Sequence, residues 1–106
     1  MINLDPNDSI AYSYAAWILA ASPEDALRDG SLAISYATKG CDLSEWKNPK
    51  KFEVLAAAYA EAGDFKKAIY WENAFLKSPN LSSPMVESGK ERLTLYESNR
   101  PYRRGG

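Results

Sequence analysis

The sequence contains no histidine and a single cysteine, Cys41, in 106 residues. Without histidine it lacks the commonest metal ligand and the commonest general base at neutral pH, and one cysteine excludes an internal disulfide. No stretch approaches the roughly 18 apolar residues of a membrane span. Met1 to Ile10 carries Asn3, Asp5, Asn7 and Asp8 where a signal peptide needs an apolar run. A soluble, cytoplasmic protein without a membrane partner is expected. Charge of one sign is also missing: the net charge is −1 and the pI is near 5.4. The general attraction that drives most nucleic-acid binding is therefore absent, and no nucleic-acid partner is expected.

What is present is the composition of a folded chain, 45% hydrophobic and 25% charged, at a length that suits one small domain. Phe52, Leu55, Ala56 and Tyr59 repeat at spacings of three and four, and so do Phe65, Ala68, Ile69, Phe75 and Leu76. Each set draws one stripe down a helix, and Gly63-Asp64 between them marks the turn of a hairpin. Asn48 caps the first of these helices with Pro49 at its first position, and Ser78-Pro79-Asn80 ends the second. An earlier hairpin follows the same plan, with Tyr12, Ala15, Ala16 and Leu19 on one helix and Ala33, Ile34, Ala37, Gly40 and Cys41 on the other. Its connection is long, from Ser22-Pro23 to Asp29-Gly30, with room for one turn at Ala26-Leu27-Arg28. The two hairpins start about forty residues apart, within the range of stacked repeat architectures. A last stripe of Val86, Gly89, Leu93 and Tyr96 suits a closing helix whose other side carries Glu87, Lys90, Glu91 and Glu97. Five helices are expected near 9–21, 31–44, 50–62, 65–77 and 84–98, with no sheet. Residues 99–106 have no period and form a basic tail.

These residues resemble the tetratricopeptide repeat family. Phe52, Leu55, Ala56, Tyr59, Gly63-Asp64-Phe65 and Ala68-Ile69 stand at that family's spacing, with Ala56 and Ala68 where helices approach closely. The resemblance implies an all-α fold of antiparallel hairpins stacked as a short right-handed superhelix over 9–98, with a C-terminal capping helix. Leu4-Asp5-Pro6-Asn7 is similar to the end of a preceding repeat, so residues 1–8 are expected to close one. The long first connection, the early Pro79 and the bulky Phe75 depart from the pattern. Ala16-Trp17-Ile18-Leu19-Ala20, Trp46-Lys47-Asn48-Pro49, Leu55 to Gly63, Arg92-Leu93 and Pro101-Tyr102-Arg103 resemble a narrower bacterial group of repeats that closes larger multidomain proteins.

In that family ligands lie along the concave wall made by the first helix of each repeat. The matching positions here are Ile10, Ser13, Tyr14 and Trp17 in the first repeat, and Lys50, Glu53, Val54, Ala57 and Glu61 in the second. Tyr14, Trp17 and Val54 would form an apolar pocket of the kind that anchors a peptide; the other reading of Trp17 packs it under the Pro23 to Gly30 connection. Some members grip a terminal carboxylate with several basic residues. The matched places Ser13, Trp17 and Val54 leave Lys50 as the one cation, so that clamp is not expected. Cys41 reads as a small core residue, and the pairs Glu24 with Asp25 and Glu53 with Glu61 read as solvated. Tyr102 with Arg100, Arg103 and Arg104 reads as a tail folding back through Pro101 onto the last helix, with contact to RNA or an acidic peptide as the alternative. The expected function is a non-enzymatic interaction or scaffolding module, monomeric or weakly dimeric, that holds a peptide or neighbouring domain without cofactor or metal. The alternative is a structural C-terminal cap of a longer repeat array in a multidomain bacterial protein.

Overall fold

The computed structural model describes residues 7–103. The readings of Leu4 to Pro6 as a repeat end and of Arg104 as part of a basic cluster lie outside the described residues. Five α-helices follow in order: α1 Ser9–Ala21, α2 Gly30–Leu43, α3 Lys50–Glu61, α4 Phe65–Leu76 and α5 Ser83–Glu97. A single 3-10 turn, Asp25–Leu27, interrupts the connection from α1 to α2, and the described residues contain no strand. Each helix lies within one residue of its expected bounds. No helix among the described residues is long and apolar enough to cross a membrane.

The starts are set locally. Asp8 Oδ1 accepts the Ala11 N–H at 3.0 Å, Asp29 Oδ1 that of Leu32 at 3.1 Å, Asp64 Oδ1 that of Lys67 at 3.2 Å and Ser82 Oγ that of Met85 at 3.4 Å. Each satisfies one of the donors that a helix leaves unpaired in its first turn. Before α3, Asn48 Oδ1 accepts the Lys50 N–H at 3.1 Å, while Pro49 already has helical torsions. Gly63, at φ 88°, makes the tight reversal from α3 to α4 in the left-handed region that costs a glycine least.

Packing is dominated by alanine. Of the fifteen hydrophobic residues in the core, eleven are alanine, and Leu55, Phe75 and Tyr96 are the large side chains fully buried among them. Helix α3 is buried on two sides. Leu55, Ala57 and Ala58 join Ala16, Ala20, Ala33, Ala37 and Cys41 against α1 and α2, whereas Ala56 and Ala60 join Ala68 and Tyr96 against α4 and α5. Helix α5 docks on α4 at Gly89, where a β-carbon would stand 2.6 Å from a Leu76 methyl and 3.2 Å from the Phe75 ring. The inner side of the molecule is made by α1 and α3 lying side by side. At their starts Lys51 Nζ donates to the Ser9 carbonyl at 3.4 Å and Ser13 Oγ at 3.1 Å. At their ends Arg103 Nη1 donates to the Ala20 carbonyl at 3.4 Å and lies 2.7 Å from Glu61 Oε1. The two helices therefore run in the same direction.

Ala56 and Ala68 are both fully buried within one cluster. Enlarging either to leucine is expected to overpack the α3–α4 hairpin and lower stability by about 1–3 kcal/mol. Urea unfolding of Ala56→Leu and Ala68→Leu checks this; midpoints equal to that of the wild type would show that these faces do not meet.

Candidate functional site

Because α1 and α3 are parallel and close, side chains standing off their shared core stripe flank a groove between the first halves of the two helices. It encloses about 300 Å³ and is lined by Ile10, Ser13, Tyr14, Trp17, Lys51, Glu53 and Val54. Ile10 is 75% exposed and Tyr14 57%. Trp17 and Val54 are half-buried against the α1–α2–α3 core, so they form the floor.

Six of the nine residues expected on this wall line the groove, and three do not. Lys50 points to solvent, one position away from Lys51, which is only 6% exposed. One residue is a rotation of about 100° on a helix, enough to exchange a groove position for an outer one. Lys51 shares its stripe with Leu55 and Ala58, so its stem lies along the core while its ammonium reaches Ser9 and Ser13. Ala57 is 1% exposed and offers no surface. Glu61 sits at the far end of α3, 2.7 Å from Arg103 and 3.6 Å from Arg28. The spacing of three and four that draws the core stripe is the same one that carries Lys51, and it is the signal that locates it.

Glu53 stands at the border of a second hollow, of about 230 Å³, shared with Pro84, Met85, Ser88 and Arg92 on the α5 side. Here Arg92 Nη2 meets Glu53 Oε2 at 2.7 Å, while its Nε reaches Glu72 Oε1 at 3.3 Å and Nη2 reaches Glu72 Oε2 at 3.4 Å. One guanidinium thus serves two carboxylates, the shorter bond goes to Glu53, and Glu72 is fully buried. Burial raises both carboxyl groups and outweighs the attraction of Arg92, pushing Glu72 up to about 7. This network ties α3, α4 and α5 together. Its pairing crosses twenty or more residues, so no periodicity reveals it.

The tail does fold back on α5, and it goes further. Tyr102 packs on the Ala56, Ala60, Ala68 and Tyr96 cluster, with the Arg92 guanidinium 5.7 Å from its ring centre. Its ring lies 5.4 Å from that of Trp17. The aromatic partner of Trp17 is thus Tyr102 from the tail, where the Pro23 to Gly30 connection had been one expectation.

On another side Trp46, Phe52 and Trp71 stack with centroids 5.3–6.4 Å apart. Trp46 follows the α2 end through left-handed torsions at Glu45 and at itself, φ 57° and 58°, and its Nε1 donates to Asp42 Oδ1 at 2.8 Å. Because an irregular turn places it, helical periodicity gave no sign of this cluster. A wider hollow of about 470 Å³ opens at the α3–α4 turn, with Phe65 as its one aromatic side chain and no set of anchors. Among the described residues no three His, Cys, Asp or Glu side chains gather as a metal site. Cys41 is fully buried, and burial pushes its thiol up to about 11.

Compared with models of protein families, with curated proteins and with solved structures, the chain has no match.

A carboxyl that titrates near 7 when folded and near 4.5 when unfolded binds its proton more tightly in the native state. Its contribution to stability is present at acidic pH and is lost as pH rises through about 7. Relative to wild type, Glu72→Gln is therefore expected to gain stability as pH rises from about 5 to about 8. Thermal unfolding of both proteins at the two pH values checks it; a constant difference would mean that Glu72 stays ionised in the fold.

Proposed function

We propose that the chain is a protein-interaction module that holds a short peptide, or an extended segment of a neighbouring domain, in the groove between α1 and α3. The observation that carries this reading is the pairing of Ile10 and Tyr14, 75% and 57% exposed, with a half-buried floor of Trp17 and Val54. Apolar side chains gathered around a concave surface mark binding sites more often than scattered ones do. The polar groups of the groove are already engaged: Lys51 is bonded to Ser9 and Ser13, and Glu53 to Arg92. Contact area would supply affinity, and the tethered charges would supply orientation.

The tetratricopeptide-like architecture belongs to the same reading. It is supported by two successive hairpins whose first helices run side by side in one direction, and by fully buried alanines at the tight crossings. On this reading the module acts in the cytoplasm without catalysis, as a monomer or weak homodimer. A structural role as the cap of a longer array is favoured by one feature: Glu87, Lys90, Glu91 and Glu97 present a charged outer row on α5.

Selection of a random peptide library against the full chain tests the choice. Enriched peptides are expected to carry an apolar anchor, and to lose at least about ten-fold in affinity for Tyr14→Ala and Val54→Asp, since anchor residues dominate such contacts. Circular dichroism should show both variants folded. No enrichment, or peptides indifferent to both changes, would leave the capping role as the better account; unfolding of both would place these residues in the core.

A further inference from the structure

The inner strip between α1 and α3 continues past the open groove. Trp17 lines the groove and also meets the Tyr102 ring at 5.4 Å, and beyond it Tyr102 and Arg103 lie over the α3 alanines and the end of α1. Tyr102 meets both Trp17 and the Arg92 guanidinium, over the alanines of α3 and α4. The next side chain, Arg103, reaches the end of the strip, where its guanidinium meets the Glu61 carboxylate at 2.7 Å and the Ala20 carbonyl at 3.4 Å. This segment is neither helix nor strand, and among the described residues the last backbone–backbone bond runs from Arg100 N to the Leu95 carbonyl. Its described contacts with the helices run through the Tyr102 and Arg103 side chains, so a chain offering the same side chains could take its place.

We propose that residues 101–103 are a built-in occupant of the far half of the peptide strip, and that the partner is an extended peptide carrying an aromatic residue followed by an arginine. This rests on the reading of the α1–α3 groove as a peptide site and names its ligand chemistry. The aromatic ring takes the place that Tyr102 now fills, in contact with both the Trp17 indole and the Arg92 guanidinium, where ring–ring and cation–π attraction both act. The arginine is specified by Glu61. That carboxylate is mostly shielded from water and already has Arg28 at 3.6 Å on one side, so its second oxygen is left for a guanidinium from the strip. The tethered segment competes at the high effective concentration of an intramolecular ligand, so the free peptide binds weakly until the segment yields. A partner that also fills the Ile10–Tyr14 groove gains the contacts needed to displace it.

The test uses a fluorescein-labelled peptide with the sequence of residues 98–104 and the full chain, wild type and Tyr102→Ala/Arg103→Ala, followed by fluorescence anisotropy. The double variant is expected to bind the peptide at least about ten-fold more tightly than wild type does. Adding Glu61→Gln to the double variant is expected to weaken binding by at least about ten-fold again. Equal binding to wild type and double variant, or indifference to Glu61→Gln, would overturn the proposal. Should circular dichroism show the double variant unfolded, Arg103→Ala alone takes its place, and affinity no higher than that of wild type overturns the proposal. A wild-type dimer in sedimentation that Arg103→Ala dissolves would overturn it in favour of a second copy as the occupant. Library peptides that depend on Val54 while this labelled peptide fails would reject the tail inference and leave the groove reading standing.

Discussion

The fold depends on contact between helices through alanine. Helix α3 runs through the middle with Ala56 and Ala60 on one side and Ala57 and Ala58 on the other, all within 1% of full burial. Alanines make up most of the buried contacts along α3, so few side chains longer than a methyl stand between it and its neighbours. That closeness sets everything on the inner face. It brings Lys51 to Ser9 and Ser13, and it narrows the space between α1 and α3 until Ile10, Tyr14 and Val54 flank one groove. Two aromatic groups lie nearer the surface: Trp17 with Tyr102 on the inner side, and Trp46 with Phe52 and Trp71 on another.

A core of this kind contributes little apolar area per residue, and polar ties make up part of the cohesion. Arg92 fastens α5 to α3 and α4 through Glu53 and Glu72, and the guanidinium also faces the Phe75 and Tyr102 rings. A buried ion pair of this type seldom adds more stability than an apolar replacement would, but it penalises any arrangement in which one charge loses its partner. The same arginine forms a wall of the second hollow and the lid over Tyr102. Packing and candidate binding surface are therefore not separable here.

The boundaries of the helices were legible because their causes are local: Asp8, Asp29, Asp64 and Ser82 each bond a backbone N–H three residues on. That Ile10, Tyr14 and Val54 stand off the core stripe follows from the helical period, whereas reading them as a binding wall came from the resemblance to tetratricopeptide repeats. Three expected residues fell elsewhere: Lys51 and not Lys50 faces inward, Ala57 is buried, and Glu61 lies at the far end of α3. What lay out of reach was pairing between distant elements. Nothing near Glu72 in sequence announces Arg92, and nothing near Trp17 announces Tyr102; such partners are set by how helices stack, which no window along the chain contains.

The clasp between Trp17 and Tyr102 bears on how the molecule comes apart. The main helix contacts join elements one or two places apart in the chain, a pattern in which each unit leans on its neighbours and the ends open first. Arg103 and Ala20, 83 residues apart, close that line into a loop, fixing α1 to the residues that follow α5. Fraying at either end then costs contacts at the other. Such a closure favours the two ends opening together over fraying from either one, for as long as the clasp holds.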